Sequence, residues 1–245
     1  MASLVDHAKI AFSAVERLEK AVHTNDLIKT FRLCLDPFGY NVVLITGLPD
    51  PPADPQPFFL VNSWPNGWHD RYLERDYYRD DPVAAFGRVR IDPFTWHDAP
   101  IDDERQPRGR LIMAEAADIG MRDGLVIPIV TSRSLHSCVS VAGEAPERDP
   151  DVQRAIHLVG MFAHARAVQL ASEQAPVRRR LLSDREREVL LWVAAGKTAW
   201  EISRILGIAE RTVIYHVTTA ARRLQAVSRT HAVARAIALG EISIP

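Results

Sequence analysis

LSDREREVLLWVAAGKTAWEISRILGIAERTVIYHVTTAARRLQAVSRTHAVARAIALGEI, residues Leu182 to Ile242, is punctuated as four short helices. Ser183 and Glu186 form an S-x-x-E capping box, in which the Ser hydroxyl accepts from the backbone three residues on and the Glu reaches back. The helix they start carries Val189, Leu190 and Val193 and runs to Gly196. Thr198 and Glu201 repeat the box. Their helix presents Ile202, Ile205 and Leu206 to a core and ends at Gly207, where a left-handed turn needs a residue without Cβ. The third helix buries Val213, Val217, Ala220, Ala221 and Leu224 along one face. A last helix runs from about His231 to Leu239 and stops at Gly240. Two short helices joined by a tight glycine turn have helix-turn-helix geometry. The other face of the third helix holds Arg211, Thr212, Tyr215, Thr218, Thr219, Arg222 and Arg223. It suits a major groove with its flanking phosphates, and equally the solvated side of an ordinary bundle.

Charge follows the same division. Val177 to Pro245 holds 12 Lys+Arg against 6 Asp+Glu, whereas the whole chain has 30 against 31. A basic tail on an acidic body points to a polyanion partner for the tail. Glu173 to Arg180 (EQAPVRRR) reads as a linker, so the expected domains are 1–173, a linker over 174–181, and 182–245.

The N-terminal part reads as α+β. The first forty residues are helical, with Ala8, Phe12, Val15, Leu18 and Val22 at helical spacing. Phe38 to Thr46 is a first strand, Pro49 to Pro57 with its five prolines an irregular loop, and Phe58 to Val61 a second strand. Trp68 to Arg75 is a short helix, Asp81-Pro82 a break, and about Asp102 to Asp118 a helix. Leu125 to Val130 and Ser137 to Ala142 are central strands of an antiparallel sheet. Pro150 to Ser172 is an amphipathic helix with Val152, Ile156, Val159, Phe162 and Ala163 on one side. The expected fold is thus an antiparallel sheet with helices on its faces, followed by an all-α four-helix domain.

Several classes are disfavoured. No apolar run approaches the roughly 18 residues of a membrane span, and Met1 to His7 lacks the basic start of a secretory signal. Cys34 and Cys138 fit no metal spacing and read as free buried thiols in a reducing cytosol. His69, Asp70, Asp76 and Asp80 cluster, but no nucleophile or metal spacing accompanies them, and His136 beside Ser134 and Ser137 reads as a loop. No enzyme, metal or cofactor is expected.

Leu182 to Ile242 resembles the LuxR-type helix-turn-helix throughout: R-E-x-E-V-L, G-K-T, E-I-S-x-I-L, E-R-T-V-x-x-H and A-V-A-x-A-I occur in order at family spacing. The resemblance makes Glu186, Leu190 and Gly196 signature positions: a cap, a core residue and a turn glycine. It turns Lys197, Thr198, Arg211, Thr212, Ile214, Tyr215, Thr218, Arg222 and Arg223 towards DNA. Three positions depart from the pattern. Ala209 stands where the family caps its recognition helix with Ser or Thr, a cap worth about 0.5–2 kcal/mol. The usual base-reading positions are Ile214, Tyr215 and Thr218, none able to fork onto guanine, and Thr219 replaces an Asn. Binding is expected to lean on phosphates and DNA shape.

The N-terminal half does not suit a phosphorylated receiver, because Val42-Val43-Leu44-Ile45 is followed by Thr46-Gly47 and not by acids. Instead WHDRYLERDYYRDDPV, Trp68 to Val83, resembles the autoinducer-binding domain of acyl-homoserine-lactone receptors. Trp68, Tyr72, Asp81, Trp96 and Gly124 fall on that family's pattern, as does the Asp-Pro-Val at Asp81 to Val83. The resemblance implies that Asp81 accepts from the ligand amide N–H, Trp68 donates to the lactone carbonyl, Ser140 bonds the acyl carbonyl, and Tyr72, Val83 and Trp96 wall the pocket. The alternative for Asp81 is a helix cap or turn carboxylate before Pro82. Trp64 stands where the family often has Tyr; its larger ring takes tail space, so a compact acyl group is expected, short, branched or aromatic.

Together the resemblances imply a cytoplasmic bacterial regulator of quorum sensing. It binds an N-acyl-homoserine lactone, acts as a homodimer on promoter DNA and works with RNA polymerase. Three alternatives stay open: a regulator of the same architecture sensing a non-lactone small molecule, an enzyme with a DNA tether, and a structural DNA-binding protein without a ligand.

Overall fold

The computed structural model describes residues 4–51, 53–65, 67–130, 136–174 and 180–243. The chain divides into two compact units, Met1–Ala175 and Pro176–Pro245. Most of the expected linker, residues 175–179, lies outside the described residues, as does Ser134.

The first unit is built on a five-stranded sheet in the order β2-β1-β5-β4-β3, every neighbouring pair antiparallel. The strands are β1 (Val42–Gly47), β2 (Phe59–Asn62), β3 (Phe94–Thr95), β4 (Asp123–Val130) and β5 (His136–Gly143). Because the side-chain period is two, alternate residues serve opposite faces. Val43, Ile45, Leu125, Ile127, Val139 and Val141 pack against α1 (Leu4–Glu19), α2 (Thr24–Leu35) and α6 (Pro150–Gln174). Val42, Val126, Cys138 and Ala142 face the other layer. That layer contains α3 (Trp68–Glu74), α4 (Pro82–Gly87) and α5 (Gly109–Asp118). With both faces covered, the strands read as continuous apolar runs and not as alternation.

Several local expectations are corrected. On α1 the buried stripe is Ala11, Ala14, Val15 and Leu18, continued by Ala21 beyond its end; Phe12 and Val22 are each 64% exposed. The alanines lie inward where α1 meets α6, and the bulky rings turn out. The side chain of Ala8 lies outside those described. On α6 Phe162 is likewise turned outward, while Val152, Ile156, Val159 and Ala163 are buried. The helix expected from Asp102 starts only at Gly109, because Pro107 supplies no N–H and disfavours helix in the residue before it. His136 and Ser137 open β5 and are not a loop. Ser137 donates to Thr46 O at 2.9 Å and accepts from His164 Nε2 at 2.8 Å.

The second unit comprises α7 (Asp184–Ala194), α8 (Ala199–Leu206), α9 (Glu210–Arg223) and α10 (Arg229–Ala238). Both capping boxes are formed, at Ser183/Glu186 and Thr198/Glu201. Gly207 closes α8 at φ +64°, and Gly196 turns the chain before α8 at φ +79°. Leu190, Ala220, Leu224, Ala232 and Ala236 form one core cluster, and Val189, Ile202 and Val213 another. Two expectations fail. Ile205 is 45% exposed and is no core residue, whereas Thr219 is only 7% exposed and faces inward. Thr219 directly precedes Ala220 on the packed side of α9. No helix among the described residues is long and apolar enough to cross a membrane.

Candidate ligand pocket and candidate nucleic-acid interface

The layer of α3, α4 and α5 leaves a cavity over the sheet, enclosing about 800 Å³ of atom-free space including its mouth. Trp64, Trp68, Tyr72, Asp81, Val83, Trp96 and Ser140, all singled out by the resemblance to the receptor family, line it. Trp68 and Tyr72 lie four residues apart on α3 and therefore on one face of that helix. The Tyr72 ring lies 6.4 Å from that of Trp68 and 4.9 Å from that of Trp64. Trp64 also meets Phe59 edge-on at 5.6 Å, so its indole is wedged into the aromatic wall.

Asp81 combines two roles. As N-cap of α4, its Oδ1 accepts from Val83 N at 2.8 Å and Ala84 N at 3.2 Å. Its Oδ2 accepts the Tyr72 hydroxyl at 2.7 Å. A carboxylate offers about four acceptor positions, so roughly one is left for a donor in the cavity. Burial pushes the Asp81 carboxyl above the usual range, opposed by the bonds from Tyr72, Ala84 and Val83 and by the Arg88 charge. Burial together with the Asp81 charge holds the Tyr72 phenol well above its ordinary value, so it remains a donor.

Trp96 sits in a short turn, Trp96–Asp98, fixed by bonds from Thr95 N and Thr95 Oγ1 to Asp98, both 2.8 Å. Its Nε1 approaches Ser140 Oγ at 3.4 Å. Gly124 explains itself here. A Cβ at that position would lie 2.7 Å from the Trp96 ring and 2.5 Å from Val141 O, so only glycine lets the indole lie on the sheet. The neighbouring Asp123 accepts from His97 Nδ1 at 3.0 Å and Arg148 Nε at 2.9 Å, which ties the turn down.

Sequence reading missed other walls: Leu44 and Thr46 on β1, Cys138 on β5, Met113 on α5, and Arg88 after α4. Cys138 and Ser140 are two apart on one strand and share a face, so the period of β5 was a usable signal. Burial pushes the Cys138 thiol up to about 12. The acidic cluster considered for catalysis is not assembled. Asp80 pairs with Arg108, His69 Nδ1 bonds Asn62 Nδ2 at 2.8 Å, and Asp70 and Asp76 are exposed.

In the second unit Arg211, Ile214, Tyr215, Thr218 and Arg222 stand exposed on α9, and Thr212 is half-buried. Ala209 occupies the N-cap in extended geometry, with no side-chain cap bond. Arg223 is exposed as well, but its Nη1 is committed inward: it lies 2.7 Å from Glu186 Oε2, whose side chain is 4% exposed. Glu186 thus caps α7 and also anchors the end of α9, a second role that its 37-residue separation from Arg223 hides in sequence. Lys197 Nζ is drawn to Glu201 at 3.4 Å, and Thr198 caps α8. Leu190 is fully buried.

Residues 24–167 match the family described as autoinducer binding domain, and residues 180–236 that described as bacterial regulatory proteins, luxR family. The HTH-type quorum sensing-dependent transcriptional regulator RpaR of Rhodopseudomonas palustris is 40% identical over 231 residues, covering 94% of this chain and 93% of its own. The transcriptional activator protein BjaR1 of Bradyrhizobium diazoefficiens is 37% identical over 235 residues, covering 96% and 97%. In fold the chain matches Escherichia coli SdiA with a TM-score of 0.72 at 20% identity, over 95% of this chain and 98% of that one. SdiA has also been solved in complex with octanoyl-rac-glycerol.

Proposed function

The chain belongs to the luxR family of bacterial regulatory proteins, with an autoinducer-binding domain in its N-terminal unit, and from that premise we propose that its cavity takes an N-acyl-homoserine lactone with a short, branched or aryl acyl group. The family is one of transcriptional regulators and not of enzymes, and this chain is a ligand-responsive regulator of quorum sensing.

In the proposed site Asp81 accepts the ligand amide N–H, Trp68 donates to the lactone carbonyl and Ser140 bonds the acyl carbonyl. Tyr72, Val83 and Trp96 form walls, and Trp64 shortens the space for the tail. Ligand binding then biases a homodimer towards a state in which two copies of α9 address a two-fold promoter site in the cytoplasm and act with RNA polymerase. Arg211 and Arg222 grip phosphates, while Ile214, Tyr215 and Thr218 meet the groove. The proposed domain limits are 1–173 and 182–245.

The observation that carries this reading is the convergence of seven residues, chosen by family resemblance, on one cavity whose buried carboxylate keeps acceptor capacity. The test is expression with a panel of acyl- and aroyl-homoserine lactones and octanoyl glycerol, followed by mass spectrometry of what co-purifies. One lactone retained at one per chain, and lost in Asp81→Asn, is the expected result. Retention of none, by protein that still binds DNA, defeats it. The second reading, a non-lactone signal, draws on Trp64, and retention of octanoyl glycerol in place of any lactone favours it.

A further inference from the structure

Among the described residues the cavity wall carries two ionic side chains, Asp81 and Arg88, amid apolar, aromatic and neutral polar residues. They bracket α4, Asp81 as its N-cap and Arg88 as its C-cap. Asp81, Ala84 and Arg88 are spaced i, i+3 and i+7, one stripe of a helix, and all three line the cavity. The stripe therefore runs along the wall from Asp81 to the backbone of Arg88, about 10 Å of helix rise, while the guanidinium reaches back along α4 to Tyr78 O and its charge is felt at Asp81. The two do not pair with each other. Asp81 is occupied by Tyr72 and the N–H groups of α4. Arg88 is held by neutral backbone carbonyls, Nε to Pro49 O at 3.0 Å and Nη2 to Tyr78 O at 3.3 Å. Its Nη1 makes no hydrogen bond to a described residue. A half-buried guanidinium beside apolar walls is an imperfectly solvated donor, and its fixed fork presents the spare N–H groups in a defined direction.

We propose that Arg88 is a specificity-determining residue that selects acyl groups bearing an oxygen acceptor at the end remote from the amide. This rests on the lactone reading above. With the amide N–H at Asp81, the acyl group lies along Ala84 and its far end meets Arg88. A terminal hydroxyl or carbonyl oxygen accepts there from the guanidinium, whereas a terminal methyl of the same size leaves that donor unmet and strips it of water.

The test uses matched pairs of acyl-homoserine lactones ending in a hydroxyl or a methyl group, in straight-chain and aryl series, titrated against the full-length protein. The hydroxyl member of at least one pair is expected to bind about tenfold or more tightly than its methyl partner. Arg88→Met is expected to erase that difference while keeping the methyl member's affinity. Equal affinities within every pair, or a preference that survives in Arg88→Met, overturn the proposal and leave the lactone reading standing. Failure of the wild type to bind any lactone overturns both. If Arg88→Met does not fold, Arg88→Gln takes its place, with the same loss of the difference expected, and equal wild-type affinities overturn the proposal without any variant.

Discussion

Asp81 caps α4, and in the proposed site the same carboxylate also receives the ligand. Capping alone asks only for a short oxygen acceptor, which Asn supplies as well as Asp. The ionised form is what burial penalises: the folded carboxyl keeps its proton to higher pH than the unfolded one. Its favourable contribution to stability is therefore intact below the unfolded pKa and lost as pH rises through the folded one. Asp81→Asn is thus expected to make the ligand-free protein more stable than wild type at pH 7, with the difference closing as the pH is lowered through the raised pKa. The same change places an N–H where the ligand amide needs an acceptor, so lactone affinity is expected to fall by at least about tenfold. Urea unfolding at several pH values, paired with ligand titration, checks both halves. A variant less stable at pH 7 than wild type would show that the charge is not strained. Gly124 is the complementary case: its need for glycine arises from an indole 28 residues earlier and the Val141 carbonyl on the neighbouring strand, and from no turn of its own.

At the scale of elements, α9 carries two adjacent arginines with different work. Arg222 is exposed and its guanidinium makes no bond to a described residue, whereas Arg223 satisfies the buried Glu186. Arg222→Gln is expected to weaken DNA binding uniformly across sequences and lower the salt slope by about one, leaving stability alone. Arg223→Gln is expected to destabilise the second unit by about 1–3 kcal/mol, because it leaves a buried carboxylate with one charged partner fewer. Salt titrations of DNA binding and denaturant melts of both variants separate the two roles. Helix periods were legible in the capping boxes and glycines of the second unit, since those signals are local. They were misread on α1, where Phe12 looked like core and the alanines did the packing, because close helix approach rewards small residues.

For the whole molecule, a cavity over a sheet is a store of unmade contacts, and filling it links ligand to folding. A ligand that binds only the folded state adds about 2.7 kcal/mol at a hundredfold excess over its Kd. The retained lactone is thus expected to raise the melting temperature of the first unit progressively with concentration, and calorimetry across a ligand series checks it. A melting temperature independent of ligand would break the link. The sequence alone determined the α+β and all-α halves and the helix-turn-helix pair, because capping boxes, glycine turns and strand runs are written within short stretches of chain; the seven cavity residues were legible only through their resemblance to a family. Only the tertiary structure decided that Arg88, Cys138 and Met113 share that cavity, that Thr219 is core, and that Arg223 belongs to Glu186. Those facts depend on which faces of distant elements meet, and the pairing of faces is settled by packing and charge burial summed over the whole unit.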